Sequence, residues 1–228
     1  ADQILRSGIK QIVISCIDQD LRTKNKSVNK LKRNKIKVIT GLLKDRTLSI
    51  NKFFFKSLKK KKPFTKVKMA ISSDEKIAWS NYKSKWISNS KSRSYAHSLR
   101  AKSQAILTTS KTIIKDNPRF TVRKKNTIIK NINIVIVDKN LNLPLNAKLL
   151  NNLHDKRVII FTSKKNLKSQ KLKQLGCEIV EMRLENNKLN LKKLFSHLYR
   201  LKISDLLVEA GGILFADLLK NNLIDEIH

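Results

Sequence analysis

Five groups of residues in this chain have the types and spacing to do chemistry. Ser84, Trp86 and Ser88 set an indole between small hydroxyls, an arrangement able to shelf a flat ring, although a lone Trp also reads as core. Arg100 lies at the end of the helical stretch Ser90–Ala101, which presents Arg93, His97 and Arg100 along one face. A basic helix face is usually only solvated. Arg123 follows the turn Asp116-Asn117-Pro118, and two arginines from separate elements can clamp a phosphate through paired N–H groups. Glu209 ends an apolar run just before Gly211-Gly212. A carboxylate there can orient a polar substrate, and a glycine pair lets backbone N–H groups approach an anion; a plain tight turn is the alternative. Asp74 and Lys76 follow another apolar run, where polar groups can also face a ligand.

Around these residues lies a chain of 228 residues with 50 Lys and Arg against 17 Asp and Glu, a net charge of +33. Such charge invites a polyanionic partner. The cations are spread over the whole length, however, and the one dense cluster is Lys59–Lys62, so solvated basic surface is the favoured reading. Hydrophobic residues make up 40% of the chain, enough for a buried core. Cys16 and Cys177 lie in or beside apolar runs and read as buried free thiols, which fits a reducing, cytoplasmic setting. His97, His154, His197 and His228 show no metal-ligand spacing, and no metal site is expected within these residues. No apolar run approaches the roughly 18–20 residues that span a bilayer, so no membrane contact is expected. The sequence opens on Ala within an amphipathic segment and stops as a strand begins at Leu223–His228, the pattern of a piece of something longer.

Apolar β-branched runs alternate with amphipathic helical stretches. Strands are expected at Ile12–Ile17, Lys66–Ile71, Ala105–Leu107, Asn133–Val137, Val158–Thr162, Glu178–Met182 and Asp205–Val208. Helices are expected at Asp2–Ser7, Ser27–Asn34, Asp45–Leu58, Ser90–Ala101, Asn166–Leu175, Leu191–Tyr199 and Ile213–Asn221. Alternation of this kind predicts an α/β fold with a largely parallel sheet covered on both faces. The charge run before Pro63 marks a boundary, giving segments 1–58, a linker 59–62 and a domain 63–228.

Five motifs in order then become informative together: Ser72-Ser73-Asp74-Glu75-Lys76, Ser84-Lys85-Trp86-Ile87-Ser88, Leu99-Arg100-Ala101, Thr112–Arg123 and Val208-Glu209-Ala210-Gly211-Gly212. In order and spacing, from Pro63 onward, they resemble the reductase half of the bifunctional riboflavin-biosynthesis deaminase–reductase family. Two places depart from its pattern: Glu75 stands where that family has Gly, and Ser110-Lys111 where it often has a Gly before the Thr. The first part resembles the end of the deaminase half, beginning just past its zinc-binding cysteines, and the link from Gly41 into the reductase.

The resemblance implies a dihydrofolate-reductase-like domain truncated at its C-terminus, preceded by the remnant of a cytidine-deaminase-like α/β domain. It implies NADPH-dependent reduction of the ribosyl group of 5-amino-6-(5-phosphoribosylamino)uracil, with the deaminase activity and its zinc lost from this segment. Carried over by position, Ser84, Arg100, Phe120, Arg123 and Glu209 would bind the phosphorylated pyrimidine. Ala70, Trp86, Ser88, Thr112, Asp116, Gly211 and Gly212 would bind the dinucleotide. Lys76 and Glu209 would stand nearest the reacting sugar. A homodimer is expected as well, and the spread of the charge over the chain speaks against a nucleic-acid partner. The rival readings are a basic nucleic-acid-binding protein, which at 6% aromatic content lacks the stacking residues RNA modules use, and an inactive reductase-like scaffold.

Overall fold

The structure, a computed structural model, describes residues 1–18, 20, 25–72, 74, 76, 88–124 and 127–228. Its contacts divide the chain into two units, Ala1–Lys61 and Lys62–His228. The first unit contains α1 (Asp2–Arg6), β1 (Gln11–Ile14), α2 (Lys26–Arg33), β2 (Lys37–Thr40), α3 (Lys44–Ile50) and α4 (Lys52–Lys60). Strands β1 and β2 pair in parallel, Gln11 opposite Lys37 through Ile14 opposite Thr40. Val28 and Leu31 form the buried stripe of α2.

The single helix expected over Asp45–Leu58 is two. Asn51 breaks it, with a backbone outside the helical region (φ −105°, ψ 24°) and a side-chain amide that donates to the Thr47 carbonyl at 3.0 Å. An Asn that bonds its own preceding turn offers the backbone an alternative to continuing the helix. At the other end Lys59 and Lys60 extend α4, and the chain leaves the helix at Lys61 in a left-handed conformation.

The second unit is built on seven parallel strands. They are β3 (Phe64–Val67), β4 (Ala105–Thr109), β7 (Asn133–Val137), β8 (Val158–Thr162), β9 (Glu178–Glu181), β12 (Asp205–Val208) and β13 (Glu226–Ile227), in the spatial order β13-β3-β12-β4-β7-β8-β9. Helices α5 (Ser90–Ala101), α6 (Ser110–Asp116), α7 (Leu167–Gln174), α8 (Leu191–Arg200) and α9 (Gly212–Lys220) connect them. Two antiparallel hairpins stand apart: β5 (Thr121–Lys124) with β6 (Thr127–Asn131), and β10 (Leu184–Glu185) with β11 (Lys188–Leu189).

The continuous apolar runs follow from this layering. In a strand, side chains alternate between faces. Ile134 and Ile136 of β7, and Val158 and Ile160 of β8, enter one core with Ile113, Leu149, Leu172 and Cys177. Val135, Ile159 and Phe161 point the other way, into a core closed by Leu194, Phe195 and Leu198 of α8 and Leu214 and Leu218 of α9. Both faces are covered, so the interior positions of these strands are all apolar, and the polar Asn133 and Thr162 stand at strand ends. Cys177 is buried as expected, and loss of water pushes its thiol up to about 11; Cys16 is half-buried.

Strand β3 begins two residues before the expected Lys66–Ile71, at Phe64, and ends four residues earlier, at Val67. Its neighbours run out first: the last paired residues beside it are Val208 and Ile227. Beyond them the chain is held by single bonds, Lys68 N–H to Val208 at 3.1 Å and Met69 N–H to His228 at 2.9 Å. Within the sheet, Lys66 and Asp205 form a buried ion pair at 2.9 Å.

Candidate active site

The carboxyl ends of three adjacent strands, β3, β12 and β4, carry the residues of interest. In an open parallel sheet, this edge and the point where strand order reverses is where ligands bind. Here β12, late in sequence, sits between β3 and β4.

Glu209 is the first residue past β12, and its N–H still bonds the Leu107 carbonyl of β4 at 3.0 Å, which fixes its backbone. Its carboxylate meets Arg100 in a fork: Nε to Oε1 at 2.6 Å and Nη2 to Oε2 at 2.7 Å. Nη1 of Arg100 donates to the Thr121 carbonyl at 3.2 Å, and the guanidinium carbon stands 5.8 Å from the centre of the Phe120 ring. The side chains are 18% and 10% exposed. Burial opposes the Arg100 charge, and Glu209 more than offsets it, raising the arginine above its ordinary value. Arg100 is therefore not on a solvated basic face. The helix end holding it is fixed by buried Leu99 and by Ser103, whose hydroxyl donates to the Leu99 carbonyl at 2.9 Å.

Arg123 reaches the same place from the β5–β6 hairpin. A bulge lies between Val122 and Arg123, where the register jumps from Lys130 to Ile128, and bulges re-aim the side chains beside them. The Arg123 Nε donates to the Thr121 hydroxyl at 3.1 Å, and its backbone N–H donates to Nδ1 of His97 at 3.1 Å. Phe120 turns into the hairpin with a left-handed backbone (φ 50°), which carries its ring into the core at 4% exposure. So Arg100, Phe120, Arg123 and Glu209 converge, and His97 and Thr121 join them.

The other expected residues are more dispersed. Ala70 lies just beyond β3. Thr112 is in the first turn of α6, its N–H bonded to the capping hydroxyl of Thr109 at 3.3 Å. Asp116 stands one turn further along that helix face and is exposed. Gly211 is the cap residue of α9 with an ordinary backbone (φ −77°), and a Cβ built there meets nothing within 4 Å. Neither conformation nor protein packing asks for glycine, and the space above it is open. Gly212 begins the helix, whose N-terminus has no side-chain cap. Ser88 precedes α5, and its carbonyl accepts from Arg93 at 2.6 Å. Lys76 is exposed and pairs with Asp74 at 3.3 Å, while Ser72 and Lys76 hold Asp74 below the usual carboxylate range. Ser84, Trp86 and Glu75 lie outside the described residues.

Sequence reasoning missed Thr121, Ser110 and Asp138. Asp138 is buried at the end of β7 and accepts from the Ser110 hydroxyl (2.8 Å) and from the Asn142 and Leu143 N–H groups (2.9 and 2.8 Å). Ser110, at a position of family departure, thus ties α6 to the loop after β7. Among the described residues no group of three His, Cys, Asp or Glu side chains is arranged to hold a metal, and no helix is long and apolar enough to cross a membrane.

Comparison with known proteins gives this geometry its context. The family described as the RibD C-terminal domain matches residues 63–228. The chain belongs to the RibD family. It is 34% identical over 226 residues to the riboflavin biosynthesis protein RibD of Aquifex aeolicus, covering 99% of this chain and 62% of that protein. RibD of Actinobacillus pleuropneumoniae is 28% identical, with 60% of its length covered. The chain therefore spans about three fifths of these relatives. Among solved structures, RibD from Acinetobacter baumannii superposes with a TM-score of 0.85 at 31% identity, over 99% of this chain and 62% of that one. A riboflavin biosynthesis reductase from Saccharomyces cerevisiae, 18% identical with a TM-score of 0.58 over 73% of this chain and 71% of its own, shares the fold. The second unit has the dihydrofolate-reductase-like α/β fold that the family resemblance implied.

Proposed function

We propose that residues 63–228 form the NADPH-dependent reductase of this RibD protein, converting the ribosyl group of 5-amino-6-(5-phosphoribosylamino)uracil to a ribityl chain. The observation that carries the reading is the Arg100–Glu209 fork at the sheet's switch point, with Arg123 beside it. A guanidinium has five N–H donors. Three of those on Arg100 are engaged with Glu209 and Thr121, which sets its plane and leaves two for an incoming phosphate or sugar oxygen. Arg123 is anchored through its Nε and backbone N–H, so the outer end of its guanidinium points away from its anchors. Two arginines preset in this way bind a dianionic phosphate without first losing side-chain freedom.

The bare backbone at Gly211 and the uncapped start of α9 fit a dinucleotide, whose pyrophosphate needs N–H donors and close approach. Ala70, Thr112 and Gly212 border the same edge and would line that site, with Trp86, Ser88 and Asp116 as its further members. NADPH, when bound, supplies the hydride; the protein supplies orientation and exclusion of water. Glu209 is committed to Arg100 through both oxygens, so its work is to hold that cation and to accept from substrate hydroxyls. Lys76 would be the cation nearest the sugar. Residues 1–58 would be the end of the deaminase half, without the zinc ligands needed for deamination, and 59–62 the join. A cytosolic homodimer completes the reading.

Titration of the protein with NADPH and with RNA at moderate salt tests it. Saturable NADPH binding, weakened by Arg100→Ala with Trp86→Ala and unaccompanied by salt-sensitive RNA binding, is expected. RNA binding without NADPH binding would overturn it.

A further inference from the structure

His97 is the residue this arrangement leaves without a role in binding or hydride transfer, and its geometry is specific. It stands three residues before Arg100 on α5, so the two side chains share a helix face. Its Nδ1 accepts the backbone N–H of Arg123 at 3.1 Å. That bond joins α5 to the hairpin at the point where the ladder register slips. We propose that His97 is the positioning residue for the phosphate end of the site, holding Arg123 in place only while Nδ1 carries no proton. The proposal rests on the reductase reading for its substrate, though not for the bond itself.

The chemistry is restrictive. A neutral imidazole has one acceptor nitrogen, and accepting at Nδ1 puts the ring proton on Nε2; an imidazolium has no acceptor at all. Protonation therefore turns the Arg123 N–H from a bonded donor into one facing another donor. The charged groups acting on the ring are Arg100 from its own helix, Arg123 from the hairpin and Glu209 from the loop after β12. Burial, then the two arginines, lower the histidine below its ordinary 6.5, with Glu209 and the Thr121 backbone opposing. Because the folded value is depressed, the latch is complete above 6.5 and is lost as pH falls through the lower folded value.

The test compares wild type with His97→Asn, which keeps an acceptor at the Nδ1 position that does not titrate, and His97→Leu, which has none. All are made in the intact protein. The readouts are KM and kcat for the phosphorylated substrate from pH 5 to 8, and the exchange protection of the Arg123 amide. For wild type, KM should rise on the acid side while kcat moves less, and Arg123 protection should fall over the same range. His97→Asn should lose the acid-side rise. His97→Leu should show a KM raised about 3- to 10-fold at pH 8, the size of one lost hydrogen bond. A wild-type KM that is flat through the histidine's titration, or His97→Asn behaving like His97→Leu, would overturn the proposal. If no variant turns over substrate at any pH, the reductase reading fails instead. Arg123 protection then decides alone: a pH-dependent loss in wild type that is absent in His97→Asn upholds the latch, and its absence removes it.

Discussion

Replacing Glu209 with Gln changes one oxygen to an amide nitrogen and should unsettle the whole edge. The carboxylate is 10% exposed and its partner 18% exposed, so water cannot easily take over the guanidinium. Breaking a buried pair from one side costs about 3–5 kcal/mol. Arg100 keeps its bond to the Thr121 carbonyl and its place near Phe120, which puts the loss at the lower end, about 3 kcal/mol. At roughly 2–4 °C per kcal/mol for a chain of this size, Tm should fall by about 6–12 °C. Calorimetry on Glu209→Gln, on Arg100→Met and on the double variant completes the cycle. The double variant should lose less than the sum of the singles by about 2 kcal/mol, because it leaves no charge stranded. Additive losses, or a Glu209→Gln protein that melts within about 2 °C of wild type, would show that the fork contributes nothing and would remove the reason for calling Arg100 preset.

Other outcomes follow from single environments. Gly211→Ser should keep or slightly raise Tm, since serine is a better helix cap and its Cβ meets nothing, yet weaken NADPH binding at least 10-fold; unchanged affinity would mean no ligand lies there. Asp138→Ala should cost about 2–4 kcal/mol by stranding the Asn142 and Leu143 N–H groups, and open the following loop to proteolysis. Alkylation of the native protein at pH 8 should label Cys16 well before Cys177, whose thiol titrates at about 11; equal labelling would contradict its burial.

Much of the sheet was legible because its physics is local. Asn133–Val137, Val158–Thr162 and Asp205–Val208 each carry an unbroken apolar run with a single polar residue at one end, and the structure has strands at those limits, with two layers covering them. Helix α5 runs over the expected Ser90–Ala101, capped by the Asn89 side chain accepting from the Ser92 N–H. Less visible were features decided by distant partners. The end of β3 depends on where β12 and β13 stop. Hairpin β5–β6 is half polar and packs against α5, so its sequence carries no clean alternation. At the site, residue types named Arg100 and Glu209, but nothing local shows that they meet across 109 positions. His97 looked like part of a solvated face; only the fold brings the Arg123 N–H to it.

The place of β12 has a further consequence, for how the protein is made. Strand β3 has β12 and β13 as its two neighbours, both encoded after residue 204. During synthesis it must wait for about 140 residues with both edges open, since Lys66 and Asp205 are 139 apart. Open edges invite pairing with other chains, and a charge on the strand is one of the ways proteins discourage it. Lys66 is that charge. It keeps the waiting strand unattractive to strangers, and Asp205 arrives with β12 to neutralise it. A slip of one residue would carry the lysine to the opposite face, away from its partner. The buried pair is thus placed to act as a guard during assembly and as a check on register at its end. Lys66→Val should accordingly aggregate more on refolding, by light scattering, whatever it does to the finished fold.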